Sequence, residues 1–577
     1  MNRPSFTERL ANSRVLLIYP LLLAAVPALH LAAENAHDID SRSTMIALFA
    51  SVALATLIFC VLLLICRKGR HVAAMTGWVM LLFFTFGRIF DLLWEAMELT
   101  QIRQLLYPLY AVYAALALAG ITWLWRTRLQ LKSFTQFAAL TTAILFAVCT
   151  RNFVHEYKHY CKDQREIAEQ EAEKDRRKAA KKRQKEMTLE RDSSADAPNS
   201  GVQLASFETL APDSKAEAVS SDQLPDIYYI ILDGYARADI LQELFDYDNS
   251  SFINSLRDRG FYVADESHAN YAMTILSLPS ALNMRYLTPE FERYGWKYTN
   301  YDPMVRLTSK NKVAATLKDR GYRVVHFATS WRATHSSDYA DVTYTLEPEF
   351  LQREFMGLFL RTTAFRPLAP TAADTHELMF EKLCDVPNDP APTFAFAHFI
   401  LPHHPYVFDA HGNRRSDVSP ELNFEREKGE ANPWQDKKSY TDQLAYASTR
   451  IRDTIDEIMA KSERPPIIIL QSDHGSASLR SRETVARQQP FFVRERISIL
   501  NAYFVPKTWQ KDLYPQITPV NSFRFVFNHL FGDSYEMLPD KLYFSWYAWP
   551  FNAQEITQQI EELDEAVRSG RASPTNQ

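Results

Sequence analysis

The sequence has few cysteines for a chain of 577 residues, and its formal net charge is only −5. Three of its five cysteines, Cys60, Cys66 and Cys149, lie in long apolar runs, which leaves Cys161 and Cys384 for the rest of the chain. This small number excludes a disulfide framework, and a domain of the remaining size does not need one. The small net charge gives no indication of a partner.

A large net charge is also missing from the one strongly charged stretch, residues 156–192. It mixes twelve Lys or Arg with ten Asp or Glu, a pattern typical of a solvated helix rather than of a nucleic-acid site. A juxtamembrane helix that touches anionic headgroups is the alternative. We therefore expect no nucleic-acid partner, and we interpret residues 155–222 as a charged helix followed by a polar linker.

Long apolar runs dominate the first 154 residues, which we predict to be a transmembrane domain. Each run approaches the roughly 20 residues that a bilayer-spanning helix needs. The predicted spans are 15–33, 45–66, 73–93, 107–125 and 134–149. The first span could instead be a cleaved signal peptide, because LAAENA offers small residues for cleavage.

Lys and Arg are concentrated before the first run and in the second and fourth loops, whereas the first and third loops carry only Arg42 and Arg103. This asymmetry predicts a cytoplasmic N-terminus. With five spans, the remainder of the chain then lies outside a bacterial-type inner membrane, in the periplasm or the extracellular space. Cleavage of the first span would not change that placement.

Residues 223–577 alternate short apolar runs with helical patterns, which predicts an α/β domain with a mainly parallel sheet and helices on both faces. The predicted strands are 227–232, 322–328, 393–401, 466–471 and 497–505, and the predicted helices are 251–259, 309–320, 372–384 and 440–461. Gly260 and Gly321 follow basic residues at two helix ends, where they fit the left-handed stop position.

Acids follow two of these apolar strands. Asp233 comes directly after the run Tyr228–Leu232, and Asp473 and His474 follow PPIIILQS. An Asp-Gly or Asp-His-Gly sequence can be a simple turn. Ends of neighbouring parallel strands meet at one crevice, however, and mixed oxygen and nitrogen ligands suit a divalent cation. The two clusters together therefore predict a metal site.

A third cluster, AHFILPHHPYVF, places His398 in a strand and His403 and His404 between prolines. His398 can be a core histidine, and we expect only one of the adjacent pair to enter the site. A hydroxyl nucleophile is offered by Thr274 at the start of the apolar helix 275–284, where amide groups and the helix dipole favour an anion. Thr274 can also be only an N-cap, and Ser277 is the competing hydroxyl.

This order of motifs resembles the alkaline phosphatase and sulfatase superfamily over roughly residues 225–510. Five spans before such a domain resemble its lipid-using branch, the phosphoethanolamine transferases and lipoteichoic acid synthases. Thr274–Pro279 matches the T-x-x-S-x-P nucleophile segment of the former. The resemblance implies one divalent ion, zinc or manganese, held by Asp233, Asp473, His474 and Thr274. It implies catalytic roles for Thr274 and His403, and substrate contacts for His398, His404 and Ser277.

Departures from the family patterns leave the cargo open. The sulfatase motif C/S-x-P-x-R has Ala281 in place of its arginine, and Ser476 replaces the acid that follows DHG in phosphoethanolamine transferases. The resemblance implies transfer of a phosphoethanolamine- or phosphoglycerol-like headgroup, from a membrane phospholipid to a glycan or lipid acceptor, through phospho-threonine. The alternatives are a hydrolase of external sulfate or phosphate esters and a non-catalytic membrane scaffold.

One charged pair lies inside a predicted span. Arg88 and Asp91 are spaced i,i+3 toward the outer end of the third span, and charges inside a span are functional candidates. A mutual ion pair is one interpretation. The other is that Arg88 contacts a lipid phosphate beneath the external domain.

Overall fold

The computed structural model describes residues 14–34, 41–97, 102–155, 158, 224–346, 354–369, 371–415, 432–479, 489–547 and 549–573. The chain divides into two compact units, Met1–Thr76 with Leu129–Lys215 and Gly77–Arg128 with Ala216–Gln577. The charged helix and linker predicted for 155–222 fall almost entirely outside the described residues. The boundaries predicted at residues 154 and 222 stay predictions.

Five helices at the N-terminal end are long and apolar enough to cross a membrane. Their bounds are Tyr19–Glu34 (α1), Ser41–Cys66 (α2), Gly69–Met97 (α3), Ile102–Arg126 (α4) and Lys132–His155 (α5). Large apolar side chains such as Phe49 and Leu64 are exposed on them, as expected of surfaces that meet hydrocarbon. These helices confirm the prediction of five long apolar helices, and the bounds of the membrane spans stay predictions.

Small residues explain how α1 packs on α2 in the first unit. Ala24, Ala28 and Ala32 are fully buried at every fourth position of α1, and α2 repeats the pattern with Ala47, Ser51 and Ala55. Since lipid removes the hydrophobic drive between helices, small side chains that allow close backbone approach favour their association.

The α/β domain that follows these helices contains a seven-stranded sheet in the order β2-β7-β6-β1-β5-β3-β4. Its strands are Ile227–Leu232 (β1), Tyr262–Val263 (β2), Arg323–Phe327 (β3), Val342–Tyr344 (β4), Thr393–Phe399 (β5), Ile467–Gln471 (β6) and Asn501–Phe504 (β7), and a separate hairpin pairs Tyr543–Phe544 (β8) with Gln554–Glu555 (β9). Strands β6, β1, β5, β3 and β4 run parallel, whereas β7 runs antiparallel to both of its neighbours. The prediction of a mainly parallel sheet is confirmed.

Helices cover both faces of this sheet. They are Ala238–Phe245 (α6), Ser250–Asp258 (α7), Thr274–Asn283 (α8), Thr288–Tyr294 (α9), Asp302–Ser309 (α10), Lys312–Asp319 (α11), Glu354–Arg361 (α12), Ala372–Leu383 (α13), Lys437–Lys461 (α14), Gln489–Ile497 (α15), Pro519–Phe531 (α16) and Thr557–Arg568 (α17). Alternate residues of β1 belong to different core clusters: Tyr228 and Ile230 pack with α6, α13 and α14, and Tyr229 and Ile231 pack with α8, α11 and α16. Burial on both faces explains why this strand reads as an unbroken apolar run.

Two local predictions have different outcomes. Gly260 and Gly321 follow α7 and α11 with φ of +91° and +86°, which confirms their role as left-handed helix stops. The strand predicted for 497–505 begins too early, since α15 extends to Ile497 and β7 starts at Asn501. Apolar composition alone does not separate a buried helix end from the strand that follows it.

Candidate active site

Three neighbouring parallel strands end at one point and bring two acids and a histidine together. Asp233 follows β1, His398 lies near the end of β5, and Asp473 follows β6. Potential ligand atoms of these three residues all lie within 4.8 Å of one another. His398 Nε2 is 3.3 Å from Asp233 Oδ2. The structure thus places Asp233 and Asp473 at one crevice, as their strand-end positions predict.

His474 completes this cluster from the residue after Asp473. Its Nε2 lies 3.4 Å from Asp233 Oδ1 and 3.5 Å from Asp473 Oδ2. Its Nδ1 is 2.9 Å from the carbonyl oxygen of Gly475, so a proton on Nδ1 leaves Nε2 as a hydrogen-bond acceptor. Burial and the neighbouring charge of Arg496 hold the pKa of His474 well below its usual range. The neutral imidazole is the form that binds metal ions.

The electrostatics of the two acids favour a compensating positive charge. Burial and the charge of Asp233 raise the pKa of Asp473. Burial also acts to raise the pKa of Asp233, but His403, His398 and His474 outweigh it, and the net shift is downward. Two carboxylates this close in a buried site repel each other, and such pairs are stable only with opposite charge or a proton between them.

Unsatisfied atoms at the same place agree with this requirement. Asp233 Oδ1, Asp473 Oδ2 and His398 Nε2 are buried without a hydrogen-bond partner among the described residues. Buried polar atoms in native proteins normally have partners. A divalent cation held by these residues would satisfy all three atoms, and an oxygen and imidazole donor set fits zinc or manganese. The residues present therefore fit the predicted metal.

A second hydrogen bond orients His398. Its Nδ1 lies 3.1 Å from the hydroxyl of Thr334, which is itself 2.8 Å from the hydroxyl of Thr329. When Nδ1–H donates to Thr334, the Nε2 lone pair points at the carboxylates, as metal-binding histidines require. His398 was predicted to contact substrate, but its fully buried side chain fits a metal ligand better.

Thr274 is the first residue of α8, and its Oγ1 lies 3.1 Å from His474 Nε2. It is partly exposed, whereas the residues that follow it in α8 are buried. Ser277 lies one turn further along and is 2 % exposed. Among the described residues, its hydroxyl makes no hydrogen bond to the cluster. The geometry therefore favours Thr274 over Ser277 as the accessible hydroxyl.

The two adjacent histidines take different positions. The amide of His403 donates to the carbonyl of Asp233 over 3.0 Å, and its ring centre is 6.1 Å from that of His474. His403 Nδ1 is 2.6 Å from the carbonyl oxygen of His404. His404 is buried behind it, with the ring centres 4.2 Å apart, and burial lowers the pKa of His404 strongly. His403 is thus the partly exposed member of the pair.

Sequence patterns missed Arg496, the last arginine of α15. Arg496 is only 4 % exposed, and its Nη2 lies 2.9 Å from His474 Nε2 and 2.8 Å from the hydroxyl of Tyr547. Its remaining contacts run to the carbonyls of Ala272 and Gly475. The only available signal was a set of charged residues, RER, directly before an apolar run. The guanidinium of Arg496 thus places a positive charge at His474 Nε2, the atom that the hydroxyl of Thr274 also contacts.

An aromatic pocket opens beside Thr274. Its lining includes Met273, Trp434, Phe492, Arg496, Phe544 and Trp546. Trp434 also lies against the chain at Gly234, where an added Cβ would be 2.5 Å from its ring. Arg496 and Met273, the residue before Thr274, therefore lie in the same pocket as these aromatic side chains.

The charged pair in the third span is not paired as the ion-pair interpretation expected. Asp91 forms a 2.8 Å ion pair with Arg366 from the α/β domain. Arg88 is exposed, and no ion pair joins it to Asp91 within the described part of the chain. A lipid contact for Arg88 stays a prediction.

Comparisons with known proteins match residues 225–512 to the sulfatase family. No curated protein matches the chain. Among solved structures, the C-terminal periplasmic domain of EptC from Escherichia coli aligns with a TM-score of 0.37 at 15 % identity, covering 57 % of this chain and 91 % of that one. The corresponding domain of phosphoethanolamine transferase EptC from Campylobacter jejuni gives 0.34 at 12 % identity, with coverages of 55 % and 91 %. An alkaline phosphatase superfamily protein from Vibrio parahaemolyticus gives 0.34 at 9 % identity, with coverages of 56 % and 73 %.

Proposed function

Since residues 225–512 belong to the sulfatase family, this chain is a sulfatase-like transferase or hydrolase, and we propose that it transfers a phospho-headgroup. The donor is a membrane phospholipid with a phosphoethanolamine- or phosphoglycerol-like headgroup. The acceptor is a cell-surface glycan or lipid. Five helices able to cross a membrane fit an anchored enzyme that works on lipid, and the Lys and Arg asymmetry supports an external site.

The observation that carries this proposal is the position of the Thr274 hydroxyl. It starts a helix, it is partly exposed, and it lies 3.1 Å from a histidine of a buried acid and histidine cluster. A hydroxyl is a weak nucleophile at its ordinary pKa and needs activation by a base or a metal ion. Thr274 is both accessible and next to the cluster that could activate it, whereas Ser277 is buried.

Asp233, Asp473, His474, His398 and Thr274 would hold one zinc or manganese ion. The ion would supply positive charge that lowers the pKa of the Thr274 hydroxyl and offsets charge on the reacting phosphoryl group. The hydroxyl of Thr274 would give its proton to solvent before the attack. Arg496 adds a second, fixed positive charge toward the phosphoryl oxygens.

Two displacements then complete the reaction on this chain's residues. Thr274 Oγ1 forms a bond to phosphorus while the bond to the lipid oxygen breaks, and His403 Nε2 gives that oxygen a proton. The bond between His403 Nδ1 and the carbonyl of His404 holds the ring for this step. In the second displacement the acceptor hydroxyl loses its proton to His403 and takes the phosphoryl group from Thr274.

The test is intact-mass measurement of the purified protein after incubation with mixed bacterial phospholipids and zinc or manganese. We expect a headgroup-sized adduct that is absent in Thr274→Ala and retained in Ser277→Ala, the matched hydroxyl control on the same helix. An adduct in both variants would refute the assignment of Thr274.

The two alternatives predict different results in the same experiment. A hydrolase gives no lasting adduct but releases phosphate or sulfate from soluble esters. A scaffold gives neither adduct nor release. The alanine at position 281 weighs against the sulfatase route that uses a modified cysteine or serine, since the motif requires arginine there.

A further inference from the structure

A short segment of the external domain, residues 354–368, lies directly against two membrane helices. It comprises α12 and the turns after it, and together with Gly77–Arg128 it belongs to the second compact unit. We propose that this segment is embedded in the outer part of the bilayer, where it latches the sulfatase domain onto α3 and α4 and contacts lipid with its remaining apolar side chains.

Backbone contacts show how close the approach is. The amide of Ala364 donates to the carbonyl of Phe83 in α3 over 3.0 Å. A Cβ added to Gly87 would lie 2.1 Å from the carbonyl oxygen of Arg361 and 2.6 Å from the backbone of Thr362. Glycine at this position of α3 is therefore required for the contact, as in close helix approaches within membranes.

Polar contacts fix the segment from both helices. Arg366 pairs with Asp91 at 2.8 Å, and its side chain is 6 % exposed. Its guanidinium also lies 4.4 Å from the centre of the Phe90 ring. From α4, the hydroxyl of Tyr110 donates to the carbonyl of Ala364 over 2.6 Å. An acid inside a span is costly unless it is paired, and Arg366 supplies the partner.

The apolar side chains divide into a docked set and an exposed set. Phe359 packs near Phe84 of α3, and Phe365 meets Phe83 edge-on with ring centres 5.0 Å apart. Phe365 nevertheless stays 45 % exposed, and Leu368 is 60 % exposed. Leu92, the neighbour of Asp91 in α3, is 63 % exposed as well. Because the segment lies against two membrane-spanning helices, the occupant of its exposed apolar side chains is the hydrocarbon of the bilayer rather than a protein.

Depth measurement by spin labelling tests the lipid contact. The full-length protein, with its native cysteines replaced, carries single cysteines at Leu368, at the exposed span residue Leu118, or at Lys511 on the surface of the sulfatase domain. The nitroxide-labelled proteins are placed in phospholipid vesicles, and collision with oxygen is compared with collision with a water-soluble nickel chelate. As at Leu118→Cys, oxygen should collide more than the chelate at Leu368→Cys, but by a smaller margin because the segment lies in the outer part of the bilayer. A match to Lys511→Cys would overturn the proposal.

Charge exchange tests the latch independently. Asp91→Arg and Arg366→Asp should each lower the midpoint of thermal unfolding, and the double variant should recover most of the loss, since paired residues couple in a double-mutant cycle. Additive losses would refute the ion pair as the latch. Neither measurement depends on catalysis, so failure here is distinct from failure of the proposed transfer.

Discussion

Replacement of Thr334 by valine tests how His398, a proposed metal ligand, is oriented, because it removes the hydrogen-bond partner of His398 and leaves the histidine in place. The hydroxyl of Thr334 is 3.1 Å from His398 Nδ1, and the residue is fully buried. Valine keeps the shape of the side chain but cannot accept this hydrogen bond. Loss of such an outer partner lowers metal affinity about 10- to 100-fold, which corresponds to about 1.4 to 2.7 kcal/mol of binding free energy.

The assay is competition for zinc between the purified full-length protein and a fluorescent chelator, which needs no substrate. Thr308→Val is the matched control, because Thr308 is also buried but its hydroxyl donates to Met304 within its own helix at 3.1 Å. We expect weaker zinc binding for Thr334→Val and unchanged binding for Thr308→Val. Equal affinities in the two variants would refute the orientation of His398 by Thr334, and with it the place of His398 among the ligands.

Two further predictions concern buried acids outside the metal cluster. Glu495 accepts hydrogen bonds from Ser476 Oγ and from the amides of Ser478 and Leu479. Glu495→Ala should therefore lower the free energy of unfolding by about 1 to 3 kcal/mol for each amide left unpaired, and Glu495→Gln should lower it less; equal losses in chemical denaturation would contradict this. Burial acts to raise the pKa of Asp564, but the contacts with His268, Arg237 and Arg494 outweigh burial, and the net shift of the pKa is downward. Since its folded pKa lies below the value of about 3.9 in unfolded chains, its pairs stabilise the fold above about pH 4, and this contribution is lost as the pH falls toward the folded pKa. Asp564→Asn should remove that part of the acid dependence measured by thermal unfolding, while Glu561→Gln, exposed on the same helix, should leave it unchanged.

The sequence predicted those parts of the fold in which one segment decides its own structure. Strands β1 and β6 are unbroken apolar runs because both faces of the sheet are covered, so their ends, and Asp233 and Asp473 with them, were visible in the sequence. The five spans were visible for a similar reason, since length and apolar composition alone determine whether a helix can cross a bilayer.

Residues whose roles depend on distant partners could not be assigned this way. Arg496 binds the carbonyl of Ala272 and contacts His474, and nothing local to the sequence RERISI announces either partner. His398 is buried in a strand, where a core histidine and a metal ligand look alike in sequence. Asp91 finds its partner in Arg366, far along the chain, so the spacing of Arg88 and Asp91 suggested a local pair that the structure replaces.

Solvent exposure differs sharply among the five residues of the proposed metal site. Asp233, His398, Asp473 and His474 are at most 5 % exposed, whereas Thr274 is partly exposed. Among these five residues, solvent thus reaches the cluster at Thr274, the residue that we propose receives the phosphoryl group. A group attached to Thr274 would therefore obstruct the path by which the metal ion exchanges with the solution. A chelator should therefore remove the metal ion more slowly from enzyme that carries the headgroup on Thr274 than from the free enzyme. The covalent intermediate would thus retain its metal ion longer.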